Sequence, residues 1–185
     1  SGTAVRLILG LVSTYHIETH LIGDDSLTQR PMRRVTDPLT DFGANFQLRN
    51  KEFLPIVVKG ANLAIPITYE MEVASAQVKS AILLAGLNTP GITTVIEKEK
   101  TRDHTETLLK YSGYEISQEE RNNKNFISLE GQKFLSPVNI KVPGDPSSAA
   151  YPVIAGLICK NSNIKIKNVL LNPTRDGLYR CLNEM

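Results

Sequence analysis

Three arginines recur where the pattern of the chain predicts that a helix follows a strand. They are Arg30, Arg102 and Arg175, spaced 72 and 73 residues apart. The N-terminus of a helix carries free N–H groups and about half a positive charge. A guanidinium beside such N–H groups binds phosphate or carboxylate well. The repeated pattern therefore predicts a scaffold that holds a small anionic molecule.

A second series of residues has the same period and marks the starts of apolar helices. These helices are predicted to begin at Thr3, Ser75 and Ser147, where a hydroxyl can cap the free N–H groups. Gly2 lacks a Cβ, so a ligand can approach its backbone closely. The amide of Gln77 offers donors and an acceptor that suit the hydroxyls of a polyol ring. Ordinary helix starts are the alternative interpretation of all these residues.

A basic segment surrounds Arg30. Pro31 suits the first turn of a helix, where its missing N–H is harmless, and this would place Arg30 at the N-cap edge, facing a bound anion. Arg33 and Arg34 follow in the same segment. A solvated basic face is the favoured interpretation for Arg33 and Arg34, whereas the repeat favours anion binding by Arg30.

The helix start near Arg102 carries acids as well as a base. Thr101 and Arg102 are followed by Asp103 and Glu106, whose negative charges complement a helix N-terminus. Arg102 can bind a phosphate group through two parallel hydrogen bonds. The alternative for Arg102 is an ion pair with Asp103 or Glu106.

The composition indicates a globular chain with a hydrophobic core. Hydrophobic residues make up 41% of the 185, and a net charge of +2 is too small to indicate a nucleic-acid partner. No apolar run approaches the ~20 residues of a membrane crossing, so no membrane association is expected. The cysteines are too few for a disulfide framework, and Cys159 is expected to be a buried thiol in a reduced, cytoplasmic setting. No histidines or cysteines have the spacing of a metal site.

Helical and strand-like patterns alternate along the chain. Helices are predicted over residues 3–13, 30–42, 75–87, 102–111, 147–159 and from 174 onward. Strands are predicted over residues 16–21, 45–48, 54–58, 64–69, 91–96, 114–117, 126–129, 138–142 and 164–169. Each cycle forms a βαβαββ unit of about 72 residues, which is a typical length for a repeated structural unit.

The repeat predicts an α/β (α+β) fold in which helices pack together inside and sheets lie outside, because the helices are apolar on most faces. Two prolines and a glycine around residues 142–146 suit a domain crossing, with a tight turn as the alternative. We therefore expect residues 1–142 to belong to one domain, with two units of which the first is incomplete. Residues 143–185 are expected to contain the crossover and to begin a second domain. The helical start and end favour a piece of a longer protein.

Six segments of the chain together resemble the EPSP synthase family of enolpyruvyl transferases. In order, they are SGTAVR (1–6), GDDSLTQRPMRRVTDPL (23–39), VASAQVKSAILLAGL (73–87), TRDHTETLL (101–109), VPGDPSSAAY (142–151) and NPTRDGL (172–178). Each is weak alone, but the ordered set covers the chain. The resemblance implies an inverse α/β barrel-like prism, built from three βαβαββ units in each of two domains with the active site between them.

The resemblance also implies a reaction of the shikimate pathway, which leads to chorismate and the aromatic amino acids. Phosphoenolpyruvate donates its enolpyruvyl group to the 5-hydroxyl of shikimate 3-phosphate, and phosphate is released without a metal or organic cofactor. Gly2, Arg30 and Gln77 are similar to residues that bind phosphoenolpyruvate. A bulkier residue in place of Gly2 is the family's route to tolerating glyphosate, so Gly2 resembles the sensitive pattern.

The acceptor-binding residues implied by the resemblance are Ser75, Ala76, Gln77, Thr101 and Arg102. Many members carry a serine where this chain has Ala76, so only the backbone N–H of Ala76 is expected to contribute. Arg175 lies beyond the expected crossing, marked by Asp145 and Ser147, and is expected to be structural.

The family's catalytic lysine and its acid–base Asp and Glu have no counterpart in this chain, so these residues alone are expected to be inactive. The partners are then the two small substrates and the rest of the same enzyme. Two alternatives stay open. One is UDP-N-acetylglucosamine enolpyruvyl transferase, disfavoured because neither Cys159 nor Cys181 lies in a polar glycine-rich loop. The other is a non-catalytic module that binds phosphorylated ligands.

Overall fold

The computed structural model describes residues 1–185, which divide into two compact units, Ser1–Pro137 (unit 1) and Val138–Met185 (unit 2). The helices of unit 1 are α1 (Gly2–Val12), α2 (Asp25–Thr28), α3 (Arg33–Thr40), α4 (Ala76–Leu87) and α5 (His104–Tyr111). Its strands are β1 (Glu18–Leu21), β2 (Asn45–Arg49), β3 (Phe53–Lys59), β4 (Thr68–Glu70), β5 (Ile92–Glu97), β6 (Ile116–Arg121) and β7 (Lys124–Glu130). Unit 2 contains α6 (Pro146–Ile158) and α7 (Gly177–Glu184). None of the helices combines the length and apolar character that a membrane crossing requires.

Two open sheets form the outside of unit 1. The first has the strand order β1-β3-β2 and is antiparallel throughout. The second has the order β4-β5-β7-β6, in which only β4 and β5 run parallel. Along β3, Leu54, Ile56 and Val58 are fully buried while the residues between them are more exposed. Each sheet can therefore turn one face to the core, as the period of 2 in a strand requires.

The core of unit 1 lies between the helices and the inner faces of both sheets. One continuous hydrophobic cluster includes Leu9 of α1, Val35 of α3, Ile82 of α4, Ile56 of β3 and Ile127 of β7. Fully burying an aliphatic side chain of this size contributes about 1.5–3 kcal/mol. The predicted arrangement of inner helices and outer sheets is confirmed.

Helices α1 and α4 pack against each other at very close range. A Cβ added to Gly10 of α1 would lie 2.3 Å from the carbonyl oxygen of Ala81 in α4, so only glycine permits this approach. The helices begin alike, because Ser1 caps α1 and Ser75 caps α4. The prediction of Ser75 as a cap is confirmed, whereas the prediction that Thr3 caps α1 is wrong by two residues.

The repeat recurs in the glycines that follow the strands. A Cβ on Gly60, after β3, would lie 1.8 Å from the carbonyl oxygen of Tyr15. A Cβ on Gly131, after β7, would lie 1.9 Å from the carbonyl oxygen of Thr89. Both glycines let the end of a strand contact the backbone that follows an inner helix, which is α1 for Gly60 and α4 for Gly131. The predicted period is therefore built into the packing as well as into the helix starts.

The segment around Arg30 differs from its prediction. The helix predicted over residues 30–42 is shorter in the structure, where α3 begins only at Arg33. Met32 is the N-cap residue, and the backbone N–H of Met32 donates to the carbonyl oxygen of Glu52. The predicted turn at residues 23–25 leads into the short α2, capped by Asp24. Arg30 therefore lies in the link between α2 and α3, and its predicted place at the N-cap edge of a helix is wrong.

Helices α6 and α7 are the regular elements of unit 2. The strands predicted over residues 138–142 and 164–169 are not formed, and a single parallel bridge joins Gly144 to Val169. Because the bridge does not extend into a ladder, the β-branched residues on either side gain no strand partner. Helix α6 starts one residue before the predicted Ser147, since the carboxylate of Asp145 accepts from the backbone N–H of Ser148 at 2.8 Å.

Cys159 is exposed, so the prediction of a buried thiol is wrong. It is the C-cap residue of α6, where the backbone leaves the helix with an extended conformation. Within α6 only Pro146 and Ala149 are buried, because no sheet covers the helix within unit 2. An apolar composition alone therefore did not predict burial here.

Candidate functional site

The first turns of α1 and α4 lie side by side and are bridged by polar side chains. Gln77 of α4 donates from Nε2 to Oγ1 of Thr3 in α1 at 2.8 Å. The oxygen of the same amide, Oε1, accepts from Nη1 of Arg6 at 2.7 Å. Both ends of the Gln77 amide are therefore held by α1, which fixes the orientation of the side chain.

Arg6 is the most buried of the arginines at this junction, with 6% of its surface exposed. Its Nη2 donates to the carbonyl oxygen of Pro31 at 2.9 Å, so its guanidinium connects α1 to both α4 and the α2–α3 link. Its Nε is buried and has no hydrogen-bond partner. Two directed hydrogen bonds make the guanidinium a rigid group with a fixed direction.

Arg34 reaches the same acceptor from α3. Its Nη2 donates to Oε1 of Gln77 at 3.1 Å, so two guanidinium groups share one amide oxygen. The sequence favoured a solvated basic face for Arg33 and Arg34. Both side chains are exposed, as expected: Arg33 pairs with Asp37 at 3.0 Å, whereas Arg34 also reaches Gln77, a contact that the sequence did not predict.

Gly2 lies between two of these arginines. A Cβ built on Gly2 would lie 3.3 Å from Nη1 of Arg30 and 3.3 Å from Nη1 of Arg6. The Arg30 guanidinium is exposed, and its hydrogen bond to the hydroxyl of Ser26 is long, at 3.4 Å. Arg30 therefore keeps donors that can turn toward a small molecule beside Gly2.

The electrostatics of this site are uniformly positive. We call Arg6, Arg30 and Arg34 the arginine cluster; no carboxylate forms an ion pair with any of the three. The pKa of Arg6 is lowered, first by burial and then by the charges of Arg34 and Arg30. Like charges held together in this way repel one another. An anion with several oxygens would relieve this repulsion and accept bidentate hydrogen bonds.

The acceptor segment expected from the sequence is split between two places in the chain. Ser75, Ala76 and Gln77 form the start of α4, where the hydroxyl of Ser75 accepts from the N–H of Val78 at 3.4 Å. The second part, Thr101 and Arg102, lies just before α5. Arg102 is exposed, and the alternative ion pair with Glu106 is not formed, because Glu106 pairs with Lys79.

Arg175 lies in unit 2 and has partners there. Its Nη2 donates to the Asp145 carboxylate at 2.9 Å and to the Ser147 hydroxyl at 2.6 Å. These contacts tie the start of α7 to the start of α6. They support the structural role expected for Arg175.

The structure thus places Gly2 beside Arg30 and Arg6, and it joins Gln77 to this region through Arg6 and Arg34. One signal for Arg6 was present in the sequence, since it is a lone charge in an apolar helix that is buried on most faces. No comparable signal distinguished Arg34 from Arg33, because both are basic residues at the start of α3.

Comparisons with known proteins extend over the whole chain. The sequence profile of the family described as EPSP synthase (3-phosphoshikimate 1-carboxyvinyltransferase) matches residues 1–185. The chain is 54% identical over 185 residues to the 3-phosphoshikimate 1-carboxyvinyltransferase of Zymomonas mobilis and 53% identical over 186 residues to that of Parvibaculum lavamentivorans. In both cases the match covers 100% of this chain and 41% of the relative.

A solved structure shows the same similarity. The EPSP synthase of Acinetobacter baumannii superimposes with a TM-score of 0.85 at 41% identity, over 100% of this chain and 41% of the other. The chain therefore spans about two fifths of the length of the proteins it matches.

Proposed function

Because the chain belongs to the EPSP synthase family, we propose that it is part of a 3-phosphoshikimate 1-carboxyvinyltransferase. Such an enzyme transfers the enolpyruvyl group of phosphoenolpyruvate to the 5-hydroxyl of shikimate 3-phosphate. The observation that carries the proposal is the arginine cluster around Gly2 and Gln77, which lies within two of the segments that carry the family resemblance. The match of the family profile to all of residues 1–185 also supports the proposal.

The donor site of this proposal is the arginine cluster. Phosphoenolpyruvate carries a carboxylate and a phosphate, and guanidinium groups recognise both through paired hydrogen bonds. Arg30, whose N–H groups remain open to solvent, would bind phosphoenolpyruvate directly beside Gly2. Arg6 and Arg34 would orient Gln77, whose amide they hold through Oε1.

The acceptor site is formed by the start of α4 and the residues before α5. Ser75, the backbone N–H of Ala76 and Gln77 would bind shikimate 3-phosphate from one side. Thr101 and Arg102 would bind its phosphate group, for which the exposed Arg102 guanidinium is free to reorient. The two substrate sites then meet at Gln77, which belongs to both.

The residues that move protons would come from other parts of the protein. No carboxylate forms an ion pair with the arginine cluster, and the chain spans 41% of its relatives. We therefore propose that these 185 residues hold one wall of the site and do not turn over alone. Residues 1–142 would belong to the first domain, and residues 143–185 would contain the crossover and begin the second. The partners of this chain would be the two substrates and the rest of the enzyme, and the enzyme would be cytoplasmic.

The test is phosphate release by the full-length protein that carries this chain, measured with phosphoenolpyruvate and shikimate 3-phosphate. We expect turnover that requires both substrates, and none from residues 1–185 alone. Calorimetry then compares the binding of shikimate 3-phosphate with the binding of UDP-N-acetylglucosamine. Binding of the nucleotide sugar in place of shikimate 3-phosphate would assign the protein to the other enolpyruvyl transferase. An intact fold that binds neither would indicate a non-catalytic module.

A further inference from the structure

Three charged side chains form a buried network behind the proposed acceptor site. Lys79 of α4 lies 3.3 Å from the carboxylate of Glu97 at the end of β5, and 2.6 Å from that of Glu106 in the first turn of α5. The exposed fractions of the Lys79, Glu97 and Glu106 side chains are 1%, 5% and 2%. The network therefore joins three separate elements inside the molecule.

The network depends on a single cation. Both carboxylate oxygens of Glu106 are buried and accept no directed hydrogen bond, so the charge of Lys79 is the main partner of Glu106. Buried ion pairs seldom stabilise a fold more than well-packed apolar residues of the same volume would. Stability alone is therefore a weak explanation for placing a lysine and two glutamates here.

The carboxylate of Glu97 carries the network to the substrate segment. Its Oε2 accepts from the hydroxyl of Thr101 at 2.9 Å and from the backbone N–H of Thr101 at 3.3 Å. These contacts hold the residue immediately before Arg102. Because the Arg102 side chain is exposed, the position of its backbone is set by such contacts from its neighbours.

The same network is anchored near the other half of the acceptor site. The backbone N–H of Lys79 donates to the carbonyl oxygen of Ser75 at 3.1 Å, so Lys79 lies one helical turn beyond the Ser75 cap. A second link runs beside it, where the hydroxyls of Ser80 and Thr105 lie 2.6 Å apart. The start of α4 and the residues before α5 are thus held in one arrangement from behind.

We propose that Lys79, Glu97 and Glu106 are positioning residues that fix the Thr101–Arg102 segment relative to Ser75 and Gln77 for binding of the acceptor's phosphate group. The inference rests on the proposed function. Its physical basis is preorganisation, because a segment that is already held in its bound arrangement loses less entropy when the ligand binds. Glu97 is the decisive residue, since it alone touches both Lys79 and Thr101.

The variants Glu97→Leu and Glu97→Gln in the full-length protein test this role. Leucine removes the acceptor of Thr101 and leaves Lys79 balanced by Glu106, whereas glutamine keeps an oxygen of similar position. We expect Glu97→Leu to raise the KM for shikimate 3-phosphate about tenfold or more, since a hydrogen bond to a charged group is lost. The KM for phosphoenolpyruvate should change less than threefold, and Glu97→Gln should recover most of the loss.

Leu129→Ala is the matched control, because Leu129 is buried in β7 and lies outside the network. It should lower the melting temperature without changing the KM for shikimate 3-phosphate. A second measurement needs no substrate: amide hydrogen exchange over residues 98–103 should accelerate in Glu97→Leu but not in Leu129→Ala.

The outcomes separate the two proposals. A wild-type protein that does not bind shikimate 3-phosphate would contradict the proposed function and the positioning role together. A wild-type protein that binds it, with an unchanged KM and unchanged exchange in Glu97→Leu, would overturn the positioning role alone. Equal rises in both KM values would also overturn it, because a general loss of structure would then explain the effect.

Discussion

The Gln77 side chain donates to the hydroxyl of Thr3 at 2.8 Å, and each of the two residues is the second in its helix. They follow the capping residues Ser75 and Ser1 at the same distance in sequence. The contact therefore joins equivalent positions of two cycles that are 74 residues apart. It places the candidate site at the junction of two repeats, where the N-terminal ends of two inner helices meet.

A charge at Gln77 should abolish the donor site while sparing the fold. In Gln77→Glu, a carboxylate would lie among the guanidinium groups of Arg6 and Arg34 and would neutralise the positive charge of the proposed phosphoenolpyruvate site. A unit charge a few Å away contributes on the order of a few kcal/mol near a protein surface. We expect the KM for phosphoenolpyruvate to rise at least tenfold, with an unchanged or higher melting temperature.

Gln47→Glu provides the control for this change, since Gln47 is an exposed residue of β2, in the first sheet. It should leave both KM values unchanged. A Gln77→Glu variant with normal affinity for phosphoenolpyruvate would show that the cluster does not bind the donor.

Substituting alanine for Gly2 should narrow the space between Arg30 and Arg6. The new Cβ would lie 3.3 Å from Nη1 of each arginine, closer than ordinary van der Waals contact, so one guanidinium must shift by a few tenths of an ångström. We expect a several-fold rise in the KM for phosphoenolpyruvate, weaker inhibition by glyphosate, and a nearly constant KM for shikimate 3-phosphate. Steady-state kinetics with both substrates would check this. Unchanged inhibition would exclude Gly2 from the donor site.

Arg6→Lys should destabilise the protein and weaken donor binding together. A lysine cannot make both hydrogen bonds of the Arg6 guanidinium, to Gln77 and to Pro31. Losing a hydrogen bond to a charged group costs about 1.5–3 kcal/mol. Denaturant unfolding and the KM for phosphoenolpyruvate are the measurements.

Arg33→Lys is the matched control for Arg6→Lys. Arg33 is exposed and pairs with Asp37 on the same helix, so its replacement should change stability by no more than ~0.5 kcal/mol. Similar losses in the two variants would contradict the distinction that the structure draws between these arginines.

Arg102→Ala should weaken binding of shikimate 3-phosphate by about 2–5 kcal/mol, since the bound phosphate and the guanidinium would shield each other from water. Arg175→Ala removes contacts to Asp145 and Ser147 within unit 2 and should leave this affinity nearly unchanged. Calorimetry on the full-length variants would compare them. Equal losses would mean that both arginines serve the acceptor site.

Gly60→Ala should prevent normal folding. The added Cβ would lie 1.8 Å from the carbonyl oxygen of Tyr15 and 2.6 Å from that of Val12, and neither backbone group can move freely. Overpacking of a core typically costs about 1–3 kcal/mol, and a backbone clash should reach the upper end or exceed it. Gly177→Ala meets no atom within 4 Å and should fold normally. The yield of folded protein and its melting temperature would distinguish the two.

Local patterns predicted most elements of unit 1 because its strands and helices each show a clear period. The ends of α3 and α5 were well marked by glycines, and Gly43 and Gly113 have positive φ values of 101° and 78°. The same reasoning failed for residues 138–142 and 164–169. A β-branched run becomes a strand only where another strand supplies hydrogen-bond partners, and no such partner lies beside either run beyond one bridge.

The sequence by itself determined the family, the period of the repeat, and the choice of Gly2, Arg30 and Gln77 as candidate site residues. These properties depend on residue types and short spacings, which local physical chemistry is sufficient to interpret. Only the tertiary structure decided that Arg6 and Arg34 share the oxygen of Gln77 and that Lys79 joins Glu97 to Glu106. Such contacts connect residues that are distant in sequence, so they arise only when the close packing of α1 against α4 sets the distances between side chains.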